Sequence, residues 1–154
     1  MESLVKSDIT VNYEIRRART EDWPAILRLQ TAERRPQRLD SRVSDYCVVI
    51  VGTELVACIG ARCKSEIAYL YGLVVTKTWR RRGIGHAITT FCIDRLCDAG
   101  ATRVFALAMF WNVAFFQKHG FSVTKRSLYH GLSNIHGDFT EEWCRRSALL
   151  CLVL

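Results

Sequence analysis

Hydrophobic and polar positions follow two different periods along the chain, and these periods predict an order of strands and helices. Apolar, β-branched runs at residues 46–51, 55–63 and 67–76 are typical of strands, and Gly52-Thr53-Glu54 between the first two is typical of a hairpin turn. A weaker alternation predicts an earlier strand at residues 11–18. Three more strands are predicted further on, at residues 102–108, 121–129 and 146–154.

Three segments have the period of a helix. The clearest covers residues 83–99, where apolar residues recur at helical spacing and Gly100 is placed to end the helix. Thr20 and Pro24 predict the start of an earlier helix that runs to about Glu33, and Asn112 predicts the start of a short one ending at residues 119–120. The Arg-rich residues 34–44 are predicted to form a loop with at most a short helical turn, and residues 130–140 form another.

Length and composition are those of one globular domain, residues 1–154, with 49% hydrophobic residues. No apolar run approaches the ~20 residues of a membrane span, and the first residues lack the apolar core of a signal peptide. We therefore expect a soluble, cytoplasmic protein without membrane contact. The seven Cys contain no CxxC pair and no zinc-like spacing with His, so we expect buried thiols and no metal.

The charge balance favours an anionic ligand. There are 22 Lys plus Arg against 15 Asp plus Glu, and 17 of the 22 are Arg, the side chain that binds carboxylate and phosphate through two parallel hydrogen bonds. Nucleic-acid binders usually place aromatic residues among such charges, and the sequence shows no such pattern. A nucleic-acid partner is therefore not expected.

One segment has the composition of an anion-binding turn. After the strand that ends near Val75, the chain passes through Arg80-x-x-Gly83-x-Gly85 into the best-defined helix. Glycines allow close approach of the backbone, and the first helical turn offers N–H donors and a favourable dipole, which suits a diphosphate. The spacing differs from GxxxxGK[ST], and GxGxxG would need glycine where Ile88 stands. The alternative is that two glycines simply start a helix after three solvated arginines.

This segment resembles the acetyl-CoA motif of the GCN5-related N-acetyltransferase (GNAT) family. A second family motif is similar to the stretch that begins at Asn112 and ends at Gly120-Phe121. The resemblance covers essentially the whole chain. It implies an α/β fold with one mixed central sheet of six to seven strands, flanked by about four helices, in β-α-β-β-β-α-β-α-β order. It also implies an acetyltransferase that uses acetyl-CoA and no metal.

The resemblance assigns cofactor contacts to individual positions. Main-chain groups of Leu73, Val74 and Val75 are expected to pair with the pantetheine arm as an added strand, and one such N–H can polarise the thioester carbonyl. Asn112 is expected near the pantetheine. The diphosphate is expected to accept bonds from the amides of the turn and first helical residues, which are Arg81, Arg82, Gly83, Ile84, Gly85 and His86.

The usual proton donor of the family is missing. Phe116 stands where the second motif commonly has Tyr. Tyr69 and Tyr71, which lie on one side of the predicted strand at residues 67–76, are candidates to replace it. We favour Tyr71 as the acid and Glu66 as the base, acting through a water molecule. Both residue types are also at home in ordinary strands and strand ends. His86 and His119 are interpreted as capping or surface residues at helix ends.

The acceptor is expected to be a small-molecule amine. The opening IRRARTEDWPAIL, the motif lacking Tyr and the Arg-x-Ser tail are similar to the branch that acetylates the α-amine of free amino acids, typified by glutamate N-acetyltransferase. That similarity implies substrate contacts from Arg145 and Ser147, and charge suggests Arg35 as a second clamp. Short stand-alone relatives, including an arsenic-resistance group, have almost the same tail.

Other classes of function stay open. Acceptors could be a protein, a polyamine or an aminoacyl-tRNA amine, and the missing Tyr also fits a non-catalytic acetyl-CoA-binding module. Arg145 and Arg146 could instead guard an apolar edge strand against aggregation. The apolar stretch at residues 149–154, interpreted as an edge strand, suggests a homodimer.

Overall fold

A single mixed sheet forms the centre of the molecule. The computed structural model describes residues 12–33, 41–125, 127 and 146–154. Its seven strands lie in the order β1-β2-β3-β4-β5-β7-β6. All neighbouring strands are antiparallel except β4 and β5, which are parallel. The strands are β1 (Glu14–Arg17), β2 (Tyr46–Val51), β3 (Glu54–Lys64), β4 (Ile67–Val75), β5 (Arg103–Ala108), β6 (Ser122–Val123) and β7 (Ala148–Val153).

Helices cover both faces of the sheet. On one face, Ile26 and Leu29 of α1 (Trp23–Ala32) pack on tyrosines and aliphatic residues of the central strands. On the other face lie α2 (Ile84–Asp98) and α3 (Val113–Lys118), which bury residues such as Ile88 and Phe116. Four short 3-10 turns complete the helical structure of the described residues, at Thr20–Asp22, Val43–Asp45, Lys77–Trp79 and Phe110–Asn112. None of the described helices is long and apolar enough to cross a bilayer.

The predicted fold class and element order are confirmed, with small shifts at element ends. The hairpin of β2 and β3 and the long helix α2 lie where the patterns placed them. Gly100 has φ of +94°, as a glycine that ends a helix requires. The strand predicted at residues 121–129 is seen only as Ser122–Val123 among the described residues. The predicted loop at residues 130–140 lies outside them.

The last strand does not lie at an edge. β7 pairs with β5 along its whole length and with β6 at Leu150 and Cys151. Leu149 and Leu150 are almost completely buried. The prediction of an edge strand at residues 149–154 was therefore wrong, because an apolar run fits an interior strand equally well. The homodimer inferred from it stays a prediction without that argument.

The thiols follow the expected pattern only in part. Cys47, Cys58 and Cys92 are buried in the core. Cys63 and Cys97 are exposed, at the end of β3 and in the last turn of α2. All six described cysteines are free thiols.

An ion pair fixes the start of α1 against β1. Nη1 and Nη2 of Arg16 donate to the Asp22 carboxylate, at 2.6 and 3.0 Å, and the Arg19 amide donates to the same carboxylate at 2.6 Å. These bonds, that from Arg16 above all, hold the pKa of Asp22 below its ordinary value. The hydrogen bonds therefore offset the burial of a charged group at this position.

Candidate active site

The parallel strands β4 and β5 separate before either strand ends. Their pairing covers only Ile67–Leu70 opposite residues 103–106. β4 continues to Val75 while β5 ends at Ala108, and the two are not paired there. Among the described residues, main-chain groups of residues 71–75 that point away from β3 therefore have no strand partner. Such an edge accepts an extended ligand with amide groups as an added strand.

A bulge in β4 coincides with this separation. From Cys58 to Gly60 β3 advances two residues, while the partners Tyr71 and Val74 lie three residues apart on β4. The extra residue is thus on β4, where Gly72 has φ of +63°. A glycine in the left-handed region is the usual residue of such a bulge, which bends and twists its strand. The sequence patterns gave no sign of this bend.

The turn between β4 and α2 gathers main-chain N–H groups. Arg81 has φ of +60° and Gly83 has φ of +80°, and alternation of right- and left-handed residues makes a concave set of amides that binds anions. The first helical bond runs from the Ala87 amide to the Gly83 carbonyl, and no side chain caps the helix. The amides of the first turn, which include those of Gly85 and His86, precede this bond and can donate to a ligand.

Arg80 fastens this turn to two other elements. Its Nε donates to the Val75 carbonyl at 2.8 Å, and Nη2 pairs with the Glu33 carboxylate just after α1. The guanidinium of Arg82 lies over the Trp79 ring, 4.6 Å from its centroid. Two of the three consecutive arginines therefore have specific intramolecular contacts and are not merely solvated.

Close packing brings α2, α3 and the end of β4 together behind the turn. A methyl group added at Gly85 would lie 3.5 Å from Phe115 Cε2 and 3.7 Å from Val75 Cγ2, which is ordinary contact distance. Asn112 stands at the start of α3, as predicted, but its side chain makes no capping bond. The structure thus brings the start of α3, and with it Asn112, to the same side of the sheet as the turn.

Tyr71 lies one residue before the bulge and is buried. Its hydroxyl donates to Asp45 Oδ2 at 2.9 Å, and the same oxygen accepts from Arg62 Nη2 at 2.8 Å. Its ring stacks on that of Tyr69 at 5.8 Å, which confirms that the two tyrosines share one side of β4. Burial, followed by the nearby Tyr46 and Asp45, raises the pKa of Tyr71. Because these groups all oppose loss of the proton, they argue against Tyr71 as the acid.

Glu66 and Phe116 have no contact that suits proton transfer. Glu66 is exposed in the turn between β3 and β4, and its carbonyl accepts from the Thr102 amide at 2.8 Å. It lies about 23 Å along the strand from Leu73, counting ~3.3 Å per residue. That separation argues against Glu66 as the base. Phe116 is buried and packs edge-to-face on Phe121.

Three residues were predicted to contact the acceptor substrate, and the structure describes one of them, Ser147. It is 2% exposed, just before β7, and its hydroxyl lies 3.4 Å from the Met109 sulfur at the end of β5. Ser147 is therefore near the place where β4 and β5 separate. Arg35 and Arg145 lie outside the described residues. The adjacent Arg146 is exposed.

Two histidines are in contact, which no sequence pattern indicated. His86 Nδ1 lies 2.9 Å from His119 Nε2, and both rings pack on Phe115. Both residues stand at helix ends, as predicted, and His119 is the C-cap of α3. Their rings are half-buried and in contact, because α2 and α3 pack together and bring residues 33 positions apart side by side. Among the described residues, no group of three or more His, Cys, Asp or Glu side chains is arranged to hold a metal ion.

Comparison with known families identifies the arrangement. The profile of the acetyltransferase (GNAT) family matches residues 12–121. No curated protein matches the sequence significantly.

Solved structures share the fold at low identity. N-acetylglutamate synthase from Neisseria gonorrhoeae, complexed with coenzyme A and N-acetyl-glutamate, superposes with a TM-score of 0.76 at 20% identity over 93% of this chain. The match spans about a third of that protein, 35% of its chain. Rv2747 from Mycobacterium tuberculosis, in complex with CoA and NLQ, superposes with a TM-score of 0.74 at 22% identity, over 92% of this chain and 99% of that one. Arabidopsis thaliana Naa50, in complex with the bisubstrate analogue CoA-Ac-MVNAL, superposes with a TM-score of 0.71 at 17% identity, over 94% of this chain and 100% of that one.

Proposed function

This chain belongs to the acetyltransferase (GNAT) family. We propose that it is an acetyl-CoA-dependent N-acetyltransferase whose acceptor is the α-amine of a free amino acid or amino-acid analogue, of the glutamate or glutamine kind. The observation that carries the proposal is the position of Ser147, a buried hydroxyl group next to the gap between β4 and β5. It belongs to the tail that is similar to the amino-acid branch of the family.

The described residues fit a coenzyme A thioester. A methyl group added at Gly83 would meet nothing within 4 Å, so the main chain of the turn is open to a ligand. The turn supplies amides for a diphosphate, and the unpaired edge of β4 supplies N–H and C=O groups for the amide-bearing arm. The bound coenzyme supplies the acetyl group as an activated thioester.

We assign the main catalytic contribution of the chain to positioning. The β4 edge fixes one ligand arm while the gap admits an amine beside it, and holding two reactants in contact supplies much of the acceleration in reactions of this kind. As part of the proposal, a main-chain N–H at Leu73 or Val74, beyond the bulge, donates to the carbonyl oxygen of the thioester as it gains charge.

No protein acid is part of this proposal. A thiol with a reference pKa near 8.5 departs as a thiolate without large cost, so a proton donor is dispensable. The Tyr71 hydroxyl is bonded to Asp45, and we propose that this bond orders β4 next to the bulge. The acceptor amine must lose its own proton, and water in the gap can accept it.

The amino-acid acceptor is supported by two further considerations. A free amino acid presents a carboxylate, which suits a chain with 17 Arg and a net charge of +7. The Neisseria synthase carries N-acetyl-glutamate in its structure, and we extend that chemistry to this chain as part of the proposal. Arg145 and Arg35 keep their proposed roles as carboxylate partners.

A peptide N-terminus is the second candidate acceptor. Phe110 and Trp111 are 82% and 62% exposed and lie edge-to-face beside Asn112. Exposed aromatic residues at the end of β5 suit the apolar side chains of a peptide better than a small dicarboxylate. The Naa50 structure, which holds a peptide-containing bisubstrate analogue, has the same fold.

An acceptor screen separates the two. Purified protein is supplied with acetyl-CoA, and release of the coenzyme thiol is followed with the twenty amino acids, polyamines and short peptides. We expect turnover with glutamate or glutamine, and loss of it in Ser147→Ala while coenzyme binding persists. Turnover only with peptides favours the second candidate, and turnover only with polyamines or lysine side chains contradicts the carboxylate contact.

A further inference from the structure

Two buried thiols meet between β2 and α2. Cys47 is the second residue of β2 and Cys92 lies in the middle of α2, and both belong to the core on this face of the sheet. Their side chains are in hydrogen-bond contact, with the Cys92 thiol donating to the Cys47 sulfur. Both are free thiols. Packing of the helix on the strand therefore makes a pair of two cysteines that are distant in the sequence.

A guanidinium group lies against Cys47. Arg95 Nη1 donates to Cys47 Sγ at 3.0 Å. Arg95 follows Cys92 by three residues, so the two side chains are neighbours on one side of α2. Arg95 is itself only half-buried, so Cys47 is separated from solvent by one flexible side chain. A small oxidant can therefore reach this sulfur when that side chain moves aside, without unfolding of the core.

A second arginine lies on the same face of the sheet. Arg17 of β1 stands directly opposite Cys47 in the antiparallel pair of β1 and β2. Side chains of directly opposed residues project from the same face of a sheet. β1 is the first strand in the sheet order, so Cys47 lies one strand from the edge. Positive charges from two elements, a strand and a helix, thus flank this thiol.

The two thiols differ in how readily they lose a proton. The hydrogen bond from Cys92 and the charges of Arg95 and Arg17 lower the pKa of Cys47, although burial opposes them. The same hydrogen bond, together with burial, raises the pKa of Cys92. Because the thiolate is the nucleophilic form of cysteine, Cys47 is the sulfur that reacts first. Cys92 keeps its proton until a later step.

We propose that Cys47 and Cys92 are a redox-active dithiol, which a hydroperoxide oxidises to a disulfide between β2 and α2. The Cys47 thiolate attacks one peroxide oxygen, so that an S–O bond forms, the O–O bond breaks and the leaving oxygen departs as water after taking up a proton. The Cys92 sulfur then attacks the sulfenic acid sulfur of Cys47. The S–S bond forms, the S–O bond breaks, and hydroxide leaves with the Cys92 proton as a second water. The two thiols lose two electrons, and the peroxide gains them.

Peptide mapping tests this assignment directly. Purified, reduced protein is treated with hydrogen peroxide near pH 7, then denatured, alkylated and digested with trypsin. Cleavage after Arg and Lys places Cys47 in the peptide 43–62 and Cys92 in the peptide 83–95. We expect the two peptides to be joined through these cysteines and to separate after reduction with dithiothreitol. Cys58 shares the first peptide but packs on the other face of the sheet, so fragmentation should show it alkylated.

Three variants separate the roles of the residues. Cys92→Ala removes the second thiol, so Cys47 should remain a sulfenic acid that dimedone traps as an adduct. Arg95→Gln should slow formation of the cross-link several-fold, because less thiolate is present. Cys97→Ala, an exposed change on the same helix, is the matched control and should react as wild type. Circular dichroism checks the fold of each variant, and the wild-type map and Arg95→Gln decide if Cys92→Ala does not fold.

Three results would overturn the inference. The first is full alkylation of Cys47 and Cys92 in protein whose exposed Cys63 and Cys97 have been oxidised. The second is a cross-link that forms as fast in urea-unfolded protein as in folded protein, because the contact in the fold would then not be its cause. The third is equal oxidation of Cys47 and Cys58. Failure of the acceptor screen would affect none of these measurements, since the thiol chemistry is independent of acetyl transfer.

Discussion

The hydroxyl of Tyr71 donates a hydrogen bond to Asp45 at 2.9 Å, and Arg62 holds the same carboxylate oxygen. This relationship joins the strand beside the bulge to the 3-10 turn that precedes β2. It gives a structural bond to the hydroxyl that the sequence analysis predicted as a proton donor. Two consequences can be measured, one for catalysis and one for packing.

Tyr71→Phe should leave kcat within about threefold of wild type. Removing a general acid typically costs about 100-fold or more, whereas loss of this hydrogen bond should lower the free energy of unfolding by about 1 kcal/mol. Steady-state kinetics with the acceptor found in the screen, and urea unfolding, provide the two numbers. Tyr69→Phe, on the same side of β4, serves as the matched control. A large fall in kcat that is specific to Tyr71→Phe would restore its role as the acid.

Gly60→Ala should destabilise the protein because of the same tyrosine. A methyl group there would lie 2.6 Å from Tyr71 Cε2 and 2.7 Å from Cζ, so the ring must move. We expect the free energy of unfolding to fall by about 1–3 kcal/mol. In a Tyr71→Leu background the same change should cost much less, and urea unfolding of the four proteins measures this coupling. Additive effects would show that the contact is not the cause.

Gly83→Ala and Gly85→Ala should have different effects on the free energy of unfolding. Gly83 has a left-handed φ with open space around it, so alanine should cost about 1–2 kcal/mol of backbone strain and place a methyl group where a diphosphate is expected. At Gly85 the methyl group has ordinary contacts, and alanine should be neutral or stabilise α2 by up to about 1 kcal/mol. Thermal unfolding and calorimetric binding of coenzyme A measure both effects. Equal losses of coenzyme affinity in the two variants would contradict the assignment of the turn.

Asp22→Asn should cost stability at pH 7 but not in strong acid. The pKa of Asp22 is depressed chiefly by its bond from Arg16, so the folded protein holds this proton more weakly than the unfolded chain does. The stabilisation is therefore complete above the ordinary value of 3.8 and is lost as pH falls through the folded value. We expect a loss of about 1–3 kcal/mol at pH 7.

Urea unfolding of wild type and Asp22→Asn from pH 7 to pH 2 checks this pH dependence. Glu21→Gln, an exposed neighbour, should change stability by less than about 0.5 kcal/mol throughout. If the difference in free energy of unfolding between wild type and Asp22→Asn grows as the pH falls, the direction of the Asp22 pKa shift is contradicted.

Local features of this fold were readable from the sequence, and contacts between distant segments were not. The β2–β3 hairpin and α2 follow from turn residues and periodicity within one segment. The turn between β4 and α2 follows in part from a short motif, because Gly83 allows its left-handed φ, but the left-handed φ of Arg81 has no such local signal. The pattern could place Tyr71 on β4 but could not show that Asp45, 26 residues away, would accept a hydrogen bond from its hydroxyl.

The sheet order and the histidine pair both depend on contacts between distant segments. An apolar run such as β7 is compatible with an edge or an interior position, and only its pairing with β5 and β6 decides. His86 and His119 each had an ordinary local explanation at a helix end. A family motif gives the path of the ligand, whereas the side chains beside that path depend on packing between helices.

The short pairing between β4 and β5 gives the proposed coenzyme a part in the stability of the sheet. Within the sheet, four residue pairs join strands β1–β4 to strands β5–β7, so a ligand along the open edge of β4 would add contacts next to this short junction. Any compound that binds only the folded form raises its stability in proportion to the logarithm of its concentration. The resistance of this polypeptide to proteolysis should therefore follow the cellular supply of acyl-coenzyme, with starved cells degrading it sooner than well-fed ones.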